Sequence, residues 1–303
     1  MVFENARMIW HKENYTENDY AEFFEKVNFS GKKAILRVSV SGDYALFING
    51  NFIESNQFAD FPHYKVYDEL DITNHLKFGE NTLCLLAWYF GKSGMRYNTP
   101  QAGVIYELEI DGKVSLASSK ESLSRRSKAY KSGEMKRISY QFGYSFLYDA
   151  TKEDNWLLGC GDGFSNSKGV TKPDNFHKRP TEKLALAEIQ TGEITITENG
   201  YIIDLGREIV GLSTFSITSE KPQNINVAYG ELLENGHVKR FIDERDFSFD
   251  YMAKLGNNEY TNYMLRLACR YIEIECEYPI DINYIGILPQ VYPVKEKFVC
   301  HVL

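Results

Sequence analysis

Three glutamates alternate with other residues near the carboxyl end of the chain: Glu273, Glu275 and Glu277 in the stretch YIEIECEYP. Every second side chain of a strand lies on the same face, so this spacing places the three carboxylates side by side. Cleavage of a glycosidic bond needs two carboxyl groups held about 5 to 9.5 Å apart. The pattern allows that chemistry, but a solvent-facing strand with the intervening residues packed inward explains it equally well. We favour the solvent-facing strand because no neighbouring residue sets one carboxyl apart as the acid.

Two loops combine aromatic rings with polar side chains, the mixture that sugar recognition uses. They are residues 57–64 (QFADFPHY) and 91–101 (GKSGMRYNTPQ). Rings can pack against the C–H faces of a sugar, while amide, guanidinium and carboxylate groups bind its hydroxyls. The residues predicted to contact carbohydrate are Asp60, His63, Tyr64, Arg96, Tyr97 and Asn98. Exposed aromatic residues are also typical of an interface, so that function stays open for the same loops.

A group of acidic residues surrounds Arg245 in the stretch DERDFSFD. An arginine that binds a carboxylate with both arms commonly fixes a corner between strands. We expect Arg245 to pair with Asp250 in this way, and Glu231 to belong to the same structural set. All three are predicted to stabilise the fold rather than to take part in chemistry.

The histidines and cysteines have no spacing that suits a metal ion. The six histidines include no HxxxH or HxH pair, and the five cysteines include no CxxC pair. No metal site and no cofactor are therefore predicted. An odd number of cysteines is typical of free thiols in a reducing compartment, and the stretch MVFENARMIWHKENY is not an apolar leader. These features predict a cytoplasmic protein.

The chain has 303 residues, a net charge of −8 and 14% aromatic residues. An acidic chain lacks the positive field that attracts nucleic acids and anionic membranes, so neither is expected as a partner. The aromatic content favours sheet over helix. The polar and basic stretch 115–137 is expected to be solvated surface.

The stretch 39–91 carries the clearest strand pattern. The dipeptide Asn49-Gly50 supplies the positive φ angles of a tight hairpin, and a second turn is expected at Gly79-Glu80-Asn81. Residues 82–90 are apolar almost throughout, which predicts a strand buried on both faces. The Gly-, Asn- and Pro-rich segment 159–183 is the best candidate for a linker between two domains.

Motifs along the chain resemble those of a known family. ALFING, YDELDIT and LKFGENTLCLLAW resemble strands of the jelly-roll sugar-binding domain at the front of many glycoside hydrolases. Tyr148, Asp149, Ala150 and Trp156 are similar to a "YDAR" stretch and its following tryptophan in bacterial α-L-rhamnosidases of glycoside hydrolase family 78. Thr151 stands in place of the arginine.

The second half of the chain resembles the same family at four further motifs. In order these are D-x-G-x-x-x-x-G at Asp204–Gly211, YGE at Tyr229–Glu231, R-x-x-x-x-D-Y at Arg245–Tyr251 and an RY-x-E strand at Arg270–Glu273. The chain therefore resembles the two β-sandwich domains that begin an α-L-rhamnosidase.

The resemblance implies an all-β fold of two tandem β-sandwiches. Residues 1–180 would form a galactose-binding-like jelly roll and residues 181–303 a concanavalin-like sandwich. In that family the catalytic acid and base lie on an α/α barrel that follows these domains, and this chain stops about where the barrel would start. The implied function is a non-catalytic region that supports the barrel and contacts rhamnose-containing glycans. A stand-alone carbohydrate-binding protein and a small hydrolase acting through Glu273, Glu275 and Glu277 stay open as alternatives.

Overall fold

The computed structural model describes residues 2–94, 98, 101–141 and 143–294, and strands dominate these ranges. The helices in them are two single 3-10 turns, Thr73–His75 and Ala150–Lys152. The predicted all-β class is confirmed.

Most strands belong to three large sheets, while β11–β12, β22–β23 and β24–β25 are separate hairpins. In chain order the first strands are β1 (Ile9–Trp10), β2 (Asp19–Phe29), β3 (Ala34–Val40), β4 (Asp43–Ile48), β5 (Asn51–Ser55), β6 (Lys65–Asp71), β7 (Gly79–Tyr89), β8 (Val104–Ile110), β9 (Lys113–Ala117), β10 (Leu123–Arg126), β11 (Arg137–Ser139), β12 (Gly143–Tyr144), β13 (Leu147–Asp149) and β14 (Ser165–Asn166). They continue as β15 (Lys168–Gly169), β16 (Phe176–Lys178), β17 (Ala185–Leu186), β18 (Gln190–Thr191), β19 (Glu193–Ile196), β20 (Gly200–Ser219), β21 (Gln223–Gly230), β22 (Leu233–Glu234), β23 (His237–Val238), β24 (Phe241–Ile242), β25 (Arg245–Asp246), β26 (Ser248–Ala253), β27 (Gly256–Cys276) and β28 (Ile280–Val291).

Two of the large sheets face each other as the predicted first sandwich. The outer sheet has the order β15-β1-β8-β3-β6-β16, with β9 beside β8, and the central sheet has the order β14-β10-β2-β7-β4-β5. Their facing side chains form one core, in which Val38 and Tyr106 of the outer sheet pack with Phe23 and Leu85 of the central sheet.

The central strand β7 is buried on both faces, as its continuous apolar run predicted. Leu85 and Ala87 lie in the core shared with the outer sheet. Leu86 and Trp88 lie in a second core, which the central sheet shares with the third sheet. The molecule is therefore layered, and the central sheet contributes side chains to both cores.

The third sheet has the order β13-β26-β21-β27-β20-β28-β17, with β18 added to β28 and β19 to β20. The strand β13 pairs in parallel with β26, so that Tyr148 lies opposite Tyr251. Residues of the YDAT motif thus belong to the third sheet although they precede residue 180. The domain limits at 1–180 and 181–303 stay a prediction.

Local chemistry forms the two turns predicted around β7. Asn49 and Gly50 have φ angles of 50° and 81° between β4 and β5. At the second turn the amide group of Asn81 donates to the carbonyl oxygens of Lys77 and Gly79 at 2.8 and 2.9 Å. Its side-chain oxygen also accepts from the amide of Asn49 at 2.8 Å, which joins the two turns.

Candidate functional site

Asp60, the acidic residue of the first predicted sugar loop, is turned inward. Its Oδ1 lies 3.0 Å from Lys65 Nζ, and its Oδ2 accepts from the Val66 amide at 2.8 Å and from Gln57 Nε2 at 3.2 Å. Burial raises the pKa of Asp60 and lowers the pKa of Lys65. Because both carboxylate oxygens bind partners within the chain, Asp60 anchors the loop rather than presenting a free group to solvent.

Phe61, His63 and Tyr64 of the same loop lie on the surface. Tyr64 is 44% exposed and stacks on His177, with ring centroids 3.8 Å apart and planes 7° from parallel. Phe61 is 53% exposed and lies 5.6 Å from the ring of His63. We call these four residues the aromatic platform. His177 was not among the predicted contact residues, because it reaches Tyr64 only through the pairing of β16 with β6.

The second predicted loop is described only in part. Arg96 and Tyr97 lie outside the described residues. Asn98 is exposed, and its Oδ1 lies 3.5 Å from Ser93 Oγ. Asn98 and Asp60 border the same cavity of about 40 Å³, which is far smaller than the roughly 300–1,000 Å³ of typical ligand pockets. The structure thus brings the two loops together at a crevice too small to enclose a sugar.

The expected pair between Arg245 and Asp250 is wrong. Arg245 Nη2 donates to Gln141 Oε1 at 3.1 Å, while Asp250 accepts from the amides of Asn226 and Asn224 at 2.8 and 3.3 Å. Arg245 lies in the short hairpin β24–β25, and Asp250 lies in β26 of the third sheet. Glu231, predicted to belong with them, is exposed.

A neighbouring cluster of Arg240, Asp246 and Lys136 occupies the corner instead. Arg240 Nε lies 2.9 Å from Asp246 Oδ1, and Lys136 Nζ lies 2.9 Å from Asp246 Oδ2. Burial acts to raise the pKa of Asp246, but hydrogen bonds from Arg240 and Lys136 hold that pKa below its usual range. The arginine-centred corner therefore exists, with residues other than those the spacing suggested.

The three alternating glutamates have unequal surroundings. Glu273 is buried and accepts hydrogen bonds from His237 Nδ1 at 2.7 Å and from the Val238 amide at 2.8 Å. The hydrogen bond to Glu273 raises the pKa of His237. Glu275 and Glu277 are exposed. Glu273 thus holds the hairpin β22–β23 against the third sheet, which is a structural task.

Two further observations concern metal binding and membrane-spanning helices. Within the described ranges, no three histidine, cysteine, aspartate or glutamate side chains are placed to hold a metal ion. The described helices are each too short to cross a membrane.

Comparisons with known proteins agree with this architecture. Residues 194–282 match the model of the bacterial α-L-rhamnosidase concanavalin-like domain. The fold matches a family 78 rhamnosidase of Bacillus sp. GL1 with a TM-score of 0.83 and 16% identity, over 96% of this chain and 56% of that enzyme. It also matches an α-L-rhamnosidase of Dictyoglomus thermophilum with a TM-score of 0.76 and 16% identity, over 96% of this chain and 36% of that enzyme. The match to an α-L-rhamnosidase of Aspergillus terreus has a TM-score of 0.73 and 18% identity, over 96% of this chain and 36% of that enzyme. No curated protein matches the sequence.

The chain therefore has the fold of the β-sandwich region of α-L-rhamnosidases, and the resemblance found in its motifs is confirmed. It spans about half or less of the length of these enzymes.

Proposed function

We propose that this chain is the non-catalytic β-sandwich region of an α-L-rhamnosidase-like glycoside hydrolase, that it supports a catalytic α/α barrel, and that its aromatic platform contacts rhamnose-containing glycans. The observation that carries the proposal is the fold match over 96% of the chain, together with the family match over residues 194–282.

An apolar edge of the third sheet supports the scaffold role. Val291 of β28 and Leu186 of β17 are 47% and 40% exposed on neighbouring strands. Ile194 and Ile196 of β19 are also exposed. Clusters of exposed apolar residues commonly mark contact surfaces between proteins or domains. We assign this edge to contact with the barrel.

The platform suits a weak glycan contact. Tyr64 and Phe61 offer exposed ring faces, and the stack of Tyr64 on His177 holds one ring in place. The anchored Asp60 holds in place the loop that carries both rings. An open surface encloses little of a monosaccharide, so binding is expected near 1 mM, about −4 kcal/mol.

The purified chain is expected to show no turnover of an aryl α-L-rhamnoside above the buffer rate. Glu273 is held by hydrogen bonds from His237 and Val238. Glu275 and Glu277 are both exposed, so neither of these two carboxyl groups has surroundings that would set it apart as the acid. Glu273→Gln should therefore leave the measured rate at background. Turnover that exceeds background and disappears in Glu273→Gln would establish the small-hydrolase alternative instead.

Titration of the ¹⁵N-labelled chain with L-rhamnose is expected to shift amide signals around residues 61–64 and 177. Tyr64→Ala should remove these shifts, because it removes the stacked ring. Phe78→Ala is the matched control, since Phe78 is 83% exposed at a turn outside the platform, and it should leave the titration unchanged. No shift at several hundred millimolar L-rhamnose would contradict the glycan contact and favour the platform as a docking surface for the barrel.

A further inference from the structure

A cleft opens between the central sheet and the third sheet. It consists of two adjoining cavities of about 330 and 300 Å³, which share walls at Glu22, Tyr148 and Trp156. We call it the interlayer cleft. Each cavity lies at the lower end of the volumes typical of ligand sites.

Aromatic side chains form much of the wall, and hydrogen bonds hold them in place. Thr82 Oγ1 donates to the Leu157 carbonyl at 2.9 Å, and the Trp156 amide donates to Asp154 Oδ1 at 3.3 Å. The first bond fastens the segment that carries Trp156 to β7, and the second fixes the local turn of that segment. Tyr148 Oη donates to Glu153 Oε1 at 2.9 Å, and the Tyr148 ring lies 4.6 Å from the ring of Tyr260. The indole and phenol rings therefore need little ordering when a ligand binds.

The charges of the cleft are compensated within it. Arg125 Nε lies 2.6 Å from Glu22 Oε2, and its terminal nitrogens donate to both oxygens of Asp154 at 2.7 and 2.8 Å. Lys254 Nζ lies 2.5 Å from Glu153 Oε2. An ionic ligand that broke these pairs would be disfavoured, because it would leave a buried charge without its partner.

Polar groups remain at the mouth of the cleft. Glu259 and Asn155 are exposed there, and Thr261 borders the same cavity as Glu259. Rigid aromatic faces beside hydroxyl, amide and carboxylate groups suit a neutral ligand that has one apolar face and many hydroxyls.

We propose that the interlayer cleft is a binding site for a neutral pyranose. The ring face of the sugar would pack on Trp156, with its hydroxyls toward Asn155 and Glu259. The site is separate from the aromatic platform and rests on different residues, although it would extend the proposed glycan contact to a second place. The cleft also contains Tyr148 and Trp156, two residues of the YDAT…W motif that are not part of the aromatic platform.

Tryptophan fluorescence tests the site directly. The chain has three tryptophans, of which Trp10 and Trp88 are 0% and 3% exposed, whereas Trp156 is partly exposed in the cleft. We expect L-rhamnose, D-galactose or D-glucose to change the emission saturably, with a dissociation constant in the millimolar range. Trp156→Phe should remove the emission change and weaken binding, measured by ligand-observed NMR, about threefold to tenfold.

Two further variants separate this site from the platform. Glu259→Gln, an exposed change that does not disturb the core, should weaken the response, whereas Tyr64→Ala should leave the Trp156 emission change intact. If Tyr64→Ala removes all sugar binding and emission never responds, the cleft is refuted while the platform stands. If emission responds and Tyr64→Ala has no effect on any binding signal, the cleft stands and the platform fails. If neither the tryptophan emission nor the NMR signals respond to any of the three sugars, both the cleft and the platform are refuted as sugar sites.

Discussion

Arg125→Ala is expected to destabilise the protein by about 3–5 kcal/mol at neutral pH, because it leaves the carboxylate of Glu22 buried without its partner. The side chains of Arg125 and Glu22 are only 4% and 3% exposed, and their closest atoms lie 2.6 Å apart. Chemical denaturation followed by far-UV circular dichroism measures the loss. Lys26→Ala is the matched control, since Lys26 pairs with Glu80 on neighbouring strands of the same sheet at 60% and 66% exposure. It should cost less than about 1 kcal/mol.

The cost of Arg125→Ala should depend on pH. Burial raises the pKa of Glu22 even against the opposing charge of Arg125, and the variant removes that opposition. A carboxyl group with a raised folded-state pKa binds its proton more tightly in the folded protein, so its favourable contribution is present at low pH and lost as pH rises through the folded pKa. The destabilisation caused by Arg125→Ala should therefore become smaller as the pH falls from about 7.5 to about 4.5, which is close to the ordinary glutamate pKa. A loss that stays constant over this range would show that Glu22 is not the group left unpaired.

Asp68→Ala is expected to lower the free energy of unfolding by about 3–5 kcal/mol and to loosen the segment that follows β16. The Asp68 side chain is 1% exposed. Its carboxylate accepts from Tyr44 Oη at 2.6 Å and from Lys183 Nζ at 2.8 Å, and it also binds the guanidinium of Arg179. Removing it leaves two cations and a hydroxyl without their shared partner. Hydrogen exchange should show faster exchange at Arg179, whose amide donates to the Tyr67 carbonyl, in the variant than in the parent chain.

The pH dependence at Asp68 has a different origin, because the pKa of this carboxyl group is lowered rather than raised. Burial acts to raise the pKa of Asp68, but Lys183 and Arg179 together hold that pKa below its usual range. A carboxyl group with a lowered pKa stabilises the protein above its unfolded value, near pH 4, and loses this contribution as pH falls through the folded pKa. The difference between parent and Asp68→Ala should accordingly narrow below about pH 4.

Glu69→Gln provides the control for Asp68→Ala, because Glu69 is the next residue of the same strand. It is 26% exposed, and its partner Arg37 keeps a second carboxylate, Glu109, at 3.0 Å. Its other partner, Lys178, is 61% exposed, so the pair is largely screened by solvent. We expect a loss below about 1 kcal/mol and unchanged exchange at residues 179–183. Equal losses in the two variants would show that burial of the Asp68 cluster has no special effect.

Much of the fold could be predicted from the sequence because it depends on neighbouring residues. The Asn49-Gly50 hairpin follows from the φ angles these residues tolerate, and both have positive φ in the structure. The run at residues 82–90 predicted a strand between two cores, and its side chains alternate between those cores. The ordered motifs likewise predicted the α-L-rhamnosidase β-sandwich fold that the structural matches show.

The partners of charged and aromatic residues were decided only by tertiary structure. The basic stretch 115–137 was expected to be solvated surface, yet Arg125 lies buried because β10 pairs with β2 and places it beside Glu22. Arg245 was expected to bind Asp250, but the strands bring Arg240 to Asp246 instead. Spacing along the chain determines which face a side chain occupies in its own strand. The pairing and layering of distant strands determine which residues it contacts there. The aromatic platform and the interlayer cleft both depend on contacts of this kind.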